Sequence, residues 1–222
     1  MPCHMQCMRL TLIVKRCEIT YPKKRQHMTD LHTETPLAKA IFELFDALAQ
    51  SIEDNHGDLA AGSIKAYIFG GCAVHLYTNA RGSNDLDTEI DAANKLDISS
   101  IILALDPVYF DDPEVGESTL DWDANFNIGL PSLGPNYKEN AIPLVHGDCI
   151  LHIYLVSAVD IAVSKLSRLA EDDLKDIIAL FKAKRFSLED FKRVAQDAVD
   201  YSATPDSLQS NVEFAITAIE EA

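Results

Sequence analysis

Apolar residues recur at helical spacing near the start of the main part of the chain. Between Leu37 and Ile52 they repeat every three or four residues, which predicts a helix with one apolar face. Thr35 supplies a hydroxyl at the N-cap, and Pro36 suits the first helical position. The segment 55–58, Asn-His-Gly-Asp, is expected to end this helix.

Shorter apolar segments in the middle of the chain predict strands. A strand over 66–69 leads directly into Gly70-Gly71, and a short helix is expected from Cys72 to about residue 79. Polar and apolar residues alternate over 83–91, as they do along a half-buried strand. The pattern also predicts a helix over 98–105 and strands at 108–110, 120–128 and 149–156.

The last third of the chain is predicted to be helical. Ser157 to Asp160 has the composition of a capped helix start, and Ser187 to Asp190 has the same composition. Apolar residues at helical spacing follow both caps and also occupy 174–181 and 205–222. We therefore predict an α+β fold in which a mixed sheet flanked by helices, residues 28–156, precedes a C-terminal helical bundle, residues 157–222.

Charge and composition limit the classes of protein that need be considered. The chain of 222 residues is 47% hydrophobic and 24% charged, with a net charge of −16, which is typical of a globular protein. The longest apolar run, near Ile150–Val156, is too short to span a membrane. A negative protein repels phosphate backbones, so general nucleic-acid binding is not expected.

The first 27 residues differ from the rest in charge and in cysteine content. They hold six basic side chains against one acidic, a net charge of +5, so residues 28–222 carry −21. Cys3, His4 and Cys7 could form part of a metal cluster, but a fourth ligand at the usual spacing is missing. We favour a disordered basic leader, or a segment upstream of a true start at Met28. Without a disulfide framework, a cytoplasmic location is expected.

Two carboxylates on the strand predicted at 83–91 are candidate metal ligands. Side chains alternate along a strand, so Asp85 and Asp87 lie on the same face, and Glu89 and Asp91 continue it. Adjacent carboxylates repel each other unless a cation lies between them, and oxygen ligands suit Mg²⁺. The alternative is a solvated strand face.

Gly70 and Gly71 suit contact with a phosphate. Without Cβ atoms they allow backbone N–H groups at the start of the next helix to approach phosphate oxygens, and Ser83 could add a hydroxyl. Taken alone, such a pair more often forms an ordinary turn. A glycine turn combined with a helix and an Asp-x-Asp strand is a more specific pattern than either part.

In this chain Gly70-Gly71 is followed by a predicted helix and then by Arg81-x-Ser83-x-Asp85-Leu86-Asp87. This combination resembles the signature of the DNA polymerase β-like nucleotidyltransferase superfamily. Within it, the chain is similar to bacterial nucleotidyltransferase-like proteins related to abortive-infection toxins of toxin–antitoxin systems. In the C-terminal half, 159–169 and 172–177 resemble the lysine helix and the Asp-x-x-Asp helix of those proteins. The resemblance covers roughly residues 36–185.

The resemblance implies a nucleotidyltransferase-like fold and a role for each matching residue. Asp85 and Asp87 would be catalytic metal ligands for Mg²⁺ or Mn²⁺, and Lys165 would contact the triphosphate with Asp173 orienting it. The other residues implied to bind nucleotide are Gly70, Gly71, Arg81, Ser83 and Arg168. The alternative for Lys165 and Arg168 is a surface stripe that pairs with Asp172 or Asp173.

A third carboxylate, which activates the attacking hydroxyl in polymerase-type members, is not obvious in this sequence. The strand where it is expected carries His152, which could act as a base near neutral pH. Asp123 is a possible substitute. The base remains unassigned between the two.

These observations predict a Mg²⁺-dependent nucleotidyltransferase that moves a nucleoside monophosphate from an NTP to a hydroxyl acceptor. The acceptor could be a small molecule, a protein or RNA, and the resemblance implies a toxin with an antitoxin partner. One alternative is an antibiotic nucleotidyltransferase, since the acidic body would attract a polycationic aminoglycoside. Another is a nucleotide-binding or regulatory module with weakened catalysis.

Overall fold

The computed structural model describes residues 31–56, 59–92 and 96–222. Its strands are β1 (Ile64–Ile68), β2 (Asp85–Leu86), β3 (Thr88–Asp91), β4 (Val108–Asp112), β5 (Gly116–Trp122), β6 (Ile142–Val145) and β7 (Leu151–Leu155). Its helices are α1 (Pro36–His56), α2 (Gly70–Thr78), α3 (Ile98–Ile102), α4 (Tyr137–Asn140), α5 (Ala158–Ser164), α6 (Glu171–Lys182), α7 (Leu188–Tyr201) and α8 (Pro205–Glu220), with a 3-10 turn at Lys165–Ser167 between α5 and α6.

A four-stranded mixed sheet has the order β3-β1-β7-β6. Strand β1 is parallel to β7 and antiparallel to β3, and β6 is antiparallel to β7. Tyr67 stacks on Tyr154 of the neighbouring strand, with ring centroids 5.2 Å apart. Together with the flanking helices, this sheet confirms the predicted α+β fold class.

A smaller sheet has the order β2-β5-β4. Strand β2 is parallel to β5, with Asp85 opposite Asp121 and Leu86 opposite Trp122, and β4 and β5 form an antiparallel hairpin. Trp122 is buried and makes an edge-to-face contact with Phe45 of α1, which fixes this sheet against the first helix.

Helix α1 packs its apolar face against α2, β4 and β5. Every position of the predicted stripe from Leu37 through Ile52 that carries a large aliphatic side chain is fully buried. Burial of such a side chain contributes about 1.5–3 kcal/mol, so this face accounts for much of the stability of the first half.

The C-terminal helices pack onto α2 rather than forming a detached bundle. Helices α5 and α6 both contact α2, while α7 packs on α5 and α8. The predicted caps are present, because Ser157 and Ser187 each accept a hydrogen bond from the backbone N–H three residues later. Because α5 and α6 pack on α2, which begins at Gly70, the helical half lies against the helix that follows the glycine turn.

Two predicted strands differ from the observed ones. The strand expected over 83–91 is divided at Asp87 into β2 and β3, which belong to different sheets. The strand expected over 120–128 begins earlier, at Gly116, and ends at Trp122. Helix α4 and strand β6 were not predicted, because neither is long enough to show a hydrophobic period.

No helix among the described residues is both long and apolar enough to cross a membrane. The predictions for the basic leader, including the Cys3, His4 and Cys7 alternative, lie outside the described residues.

Candidate active site

The glycine turn connects β1 to α2 and lies directly against Asp87. The backbone N–H of Phe69 donates to the carbonyl oxygen of Asp87 at 2.9 Å, which holds the two segments together. Gly70 has a φ of +60°, and a Cβ at this position would overlap the Asp87 carboxylate. Glycine is therefore required here for both its backbone conformation and its lack of a side chain.

Three carboxylates meet beside this turn. Asp85 and Asp87 lie on either side of Leu86 in the chain, and the backbone N–H of Asp123 donates to the Leu86 carbonyl at 3.2 Å. Parallel pairing of β2 with β5 then places Asp123 next to Asp87, and their carboxyl groups are within hydrogen-bonding reach. Burial and the proximity of Asp123 raise the pKa of Asp87 to about 6.

The Ser83 hydroxyl and the Cys72 thiol both bind the backbone beside the carboxylates. Ser83 Oγ donates to the Asp85 carbonyl at 2.9 Å, and Cys72 Sγ donates to the same oxygen at 3.3 Å. A Cβ on Gly71 would lie 2.9 Å from Ser83 Oγ, so Ser83 closely approaches the second glycine. Burial raises the pKa of Cys72 to about 12, which excludes a thiolate nucleophile there.

Lys165 projects into the same region from the 3-10 turn after α5. Its side chain is only 10% exposed, and its Nζ lies 2.7 Å from Asp176 Oδ2 and 3.6 Å from Asp173 Oδ1. The same Asp176 oxygen accepts a hydrogen bond from Arg81 Nη1 at 3.0 Å. Asp176 therefore bridges a cation from the C-terminal half to a cation from the loop before β2.

Arg168 and Asp173 form a second, two-bonded ion pair. Arg168 Nε and Nη2 donate to the two carboxylate oxygens at 2.7 and 2.8 Å, and the Ala170 N–H donates at 3.0 Å. Burial alone would raise the pKa of Asp173, but these hydrogen bonds outweigh it and hold the pKa below its ordinary value. Unlike Lys165, the Arg168 side chain is 75% exposed.

The carboxylates beside the glycine turn and the cations Lys165 and Arg168 are close enough to interact electrostatically. The positive charge of Lys165 acts against the rise in the Asp87 pKa. The pKa of Arg168 is raised mainly by its hydrogen bonds and ion pair with Asp173, and the negative charge of Asp87 adds to the rise. The site thus has a carboxylate side and a cationic side, which come from different halves of the chain.

The structure does not bring His152 into this group. On β7 it pairs with Lys65, three positions before the end of the strand at Leu155, which is about 10 Å along the strand. Its ring lies over Gly62, and its Nε2 is 3.0 Å from the Gly147 carbonyl oxygen. His152 therefore lies towards the opposite end of the sheet from the glycine turn.

Glu89 and Asp91 lie on β3, beyond the point where the predicted strand is divided, and have partners of their own. Lys138 binds both carboxylates at 2.8 Å, and the Tyr137 hydroxyl donates to Glu89 at 2.7 Å. Helix α4, which the sequence pattern does not predict, supplies both partners. These two acidic groups are therefore already paired with side chains of α4.

Two residues with a part in this geometry were not among the predicted site residues. Asp176 follows Asp173 by three positions, so the Asp-x-x-Asp spacing was the available signal. His75 is buried, with its Nδ1 2.8 Å from the Arg81 carbonyl oxygen and its Nε2 2.7 Å from Thr35 Oγ1. It thereby connects the start of α1 to the loop that carries Arg81.

The carboxylates suit a magnesium ion that shares its ligands with phosphate. The carboxylates at the turn offer oxygen ligands, and burial, followed by the neighbouring Asp123 carboxyl, raises the pKa of Asp87. Within residues 31–56, 59–92 and 96–222, no three acidic, histidine or cysteine side chains form a ready-made metal cage. Mg²⁺ commonly uses one or two carboxylates with substrate phosphates and water, so Asp85 and Asp87 meet its requirement.

A mixed sheet, a glycine turn, paired carboxylates and an opposed lysine are features that nucleotidyltransferases share. Comparison with family models supports this class: residues 39–222 match the family described as nucleotidyltransferase of unknown function, DUF6036. Because the match covers most of the chain, the protein belongs to that family. Neither the curated proteins nor the solved structures contain a significant match to it.

Proposed function

We propose that the protein is a Mg²⁺-dependent nucleotidyltransferase of the DNA polymerase β-like superfamily. It would transfer a nucleoside monophosphate from an NTP to a hydroxyl group and release pyrophosphate. The observation that carries the proposal is the opposition of two groups across the Gly70 turn. Asp85, Asp87 and Asp123 lie on one side, and Lys165 with its carboxylate partners lies on the other.

The carboxylate side would hold Mg²⁺, which would supply charge neutralisation at the reacting phosphate when bound. Asp85 and Asp87 are the proposed ligands. Asp123 is the proposed base for the acceptor hydroxyl, since it contacts Asp87 and follows a neighbouring strand. This assignment replaces His152, which lies towards the other end of the sheet.

The cationic side would bind the leaving pyrophosphate. Lys165 is a compact positive charge that is already desolvated, and Arg81 and Arg168 lie nearby through Asp176 and Asp173. Asp173 and Asp176 hold these cations in place before the nucleotide arrives. Backbone N–H groups at the start of α2, next to Gly70 and Gly71, can donate to the phosphates.

The direct test is release of pyrophosphate from each of the four NTPs, with and without Mg²⁺. We expect Asp85→Asn together with Asp87→Asn to abolish both the release and Mg²⁺-dependent nucleotide binding. Asp111→Asn, an exposed carboxylate on β4, is the control and should retain both. Unchanged nucleotide and Mg²⁺ binding in the double variant would refute the site. Nucleotide binding by the wild-type protein without release of pyrophosphate would support a regulatory module.

The resemblance to abortive-infection proteins leads us to propose a toxin role with an antitoxin partner. Expression of the wild-type chain should then arrest growth, and the Asp85→Asn, Asp87→Asn variant should not. Growth that is equally unaffected by both chains, despite measured transferase activity, would reject the toxin role while leaving the enzyme intact.

A further inference from the structure

A cavity of about 440 Å³ opens beside the carboxylates, between β3, α3 and the segment 123–128. We infer that this cavity is the acceptor subsite, and that the acceptor is a small hydroxyl compound with an apolar body and no phosphate group. The inference rests on the proposed function and names the class of the second substrate. We call this space the α3 cavity.

The position of the α3 cavity indicates that its occupant is the acceptor and not the nucleotide. Asp123 lines it, whereas Gly70, Gly71 and the three cations of the site do not. A triphosphate carries several negative charges and is drawn to the cations. The hydroxyl to be activated must reach a carboxylate, and Asp123 is the carboxylate of the group that the cavity exposes.

The charge of the lining argues against an acceptor that carries phosphate. Of the described residues that line the α3 cavity, none is basic, and the two that are charged are Glu89 and Asp123. Among the described residues of this lining, a phosphate would find no cation to bind and would face negative charge. An RNA terminus brings a phosphate with each nucleotide, so this lining disfavours it.

The same lining is a poor match for a polycationic acceptor. Glu89 already binds Lys138 and the Tyr137 hydroxyl, which leaves Asp123 as the one charged side chain of the cavity without such a cation partner among the described residues. An aminoglycoside carries several ammonium groups, and each needs a partner when it leaves water. One carboxylate cannot satisfy them.

The remaining wall is mostly apolar, although Thr88, Ser99 and Asn127 also line it. Ile90, Ile98 and Phe126 are partly buried in the wall, and the volume lies within the 300–1,000 Å³ that is typical of small-molecule sites.

The transfer needs no reactant besides the NTP and the acceptor. The acceptor oxygen forms a bond to the α-phosphorus, and the bond from that phosphorus to the bridging oxygen of the β-phosphate breaks. Pyrophosphate leaves with that electron pair, and the hydroxyl proton passes to Asp123. The product is a phosphodiester that joins the acceptor to the nucleoside.

Binding to the α3 cavity can be measured without NTP or metal, and therefore independently of catalysis. We suggest ligand-observed NMR with a panel of neutral aryl and alkyl alcohols, each paired with the carboxylic acid and the phosphate ester of the same body. Ser99→Trp would fill the cavity from an exposed position on α3. Ala104→Trp, which is exposed on the same segment but outside the cavity, is the matched control.

We expect neutral alcohols to bind the wild-type protein and the Ala104→Trp variant, and to bind Ser99→Trp about tenfold more weakly. The matched acids and phosphates should bind the wild type about tenfold more weakly than the alcohols. The inference is overturned if no alcohol binds, if the phosphates bind better, or if Ser99→Trp binds as well as the control.

Transfer assays then separate this inference from the proposed function. Labelled NTP is offered with the alcohols that bind, with total tRNA, and with an aminoglycoside. Label on an alcohol, lost in Ser99→Trp only, supports both proposals. Transfer to tRNA or to the aminoglycoside that Ser99→Trp does not impair supports the enzyme and rejects the α3 cavity as its acceptor subsite. Alcohol binding without release of pyrophosphate from any NTP rejects the enzyme alone.

Discussion

Lys165 Nζ lies 2.7 Å from Asp176 Oδ2, and both side chains are almost entirely buried. The pair joins the 3-10 turn after α5 to the middle of α6, and through Arg81 it reaches the loop before β2. A lysine held in this way has its ammonium group in a fixed position and largely out of contact with water. The cationic side of the site is therefore formed before any nucleotide binds.

Asp176→Asn should destabilise the fold by about 3 kcal/mol, because it removes the charge that compensates a buried lysine and an arginine. Denaturant unfolding measures the change. Asp172→Asn on the same helix is the control, since Asp172 is 73% exposed and pairs only on the surface with Lys175; it should change stability by less than about 0.5 kcal/mol. Equal effects of the two substitutions would contradict the bridging role.

Lys165→Gln should weaken NTP binding about tenfold or more, because a charged contact to phosphate is worth about 1.5–3 kcal/mol. The fold should survive, since Asp176 keeps Arg81 and Asp173 keeps Arg168. Titration with a fluorescent NTP analogue measures the affinity. Lys175→Gln, which removes an exposed lysine of α6, is the control. Unaltered affinity in Lys165→Gln would show that this lysine does not contact the nucleotide.

Gly70→Ala should abolish Mg²⁺-dependent nucleotide binding, because a Cβ there displaces the Asp87 carboxylate. The positive φ adds about 1–2 kcal/mol of backbone strain. Gly116→Ala separates the two effects, since Gly116 also has a positive φ but has open space around it. It should lose stability and keep nucleotide binding. If both variants bind nucleotide equally well, the close approach of Gly70 to Asp87 has no functional role.

The pH dependence of stability should reveal the crowded carboxylates. The pKa of Asp87 in the folded protein is about 6, above the ordinary value of 3.8, so the fold favours the protonated form. Its contribution to stability is full below about pH 4 and is lost as the pH rises through 6. Asp87→Asn, which is neutral at every pH, should therefore be more stable than the wild type at about pH 8 without metal, and the difference should vanish in acid.

Asp46→Asn is the control for this experiment. Burial and Glu43 raise the pKa of Asp46 to about 6 as well, but Asp46 lies on α1 away from the glycine turn. Its substitution should change the pH profile in the same direction and leave thermal stabilisation by Mg²⁺ and NTP intact. Asp87→Asn should lose that stabilisation. A wild-type profile in both variants would show that neither carboxyl has a raised pKa.

Local patterns predicted most of the elements and one side of the candidate site. The period of apolar residues on α1 and the serine caps of α5 and α7 act within a few residues, so they can be recognised in the sequence. The same holds for Gly70 and for Asp85 with Asp87, which lie on one turn and one short segment. Short elements such as α4 and β6 carry too few residues to show a period.

Strand pairing decided which of the two candidate bases lies beside Asp87. Asp123 and His152 are equally plausible from the sequence, because each lies on or next to a predicted strand. Parallel pairing of β2 with β5 brings Asp123 beside Asp87, and pairing of β7 with β1 carries His152 towards the other end of the sheet. Register between strands that are distant in the chain has no local signature, so the structure alone could distinguish them.

The sequence by itself thus determined the fold class, the glycine turn and the position of the two aspartates, since each depends on spacing along a single helix, turn or strand. Only the tertiary structure decided what faces them. Arg81 and Asp176 are 95 positions apart in the chain and 3.0 Å apart in space, and α5 and α6 bring Lys165 to the turn by packing on α2. Helices and strands that bury apolar surface against one another bring such residues together. Because the hydrophobic effect has no direction, the apolar pattern of one element does not show which other element will pack on it.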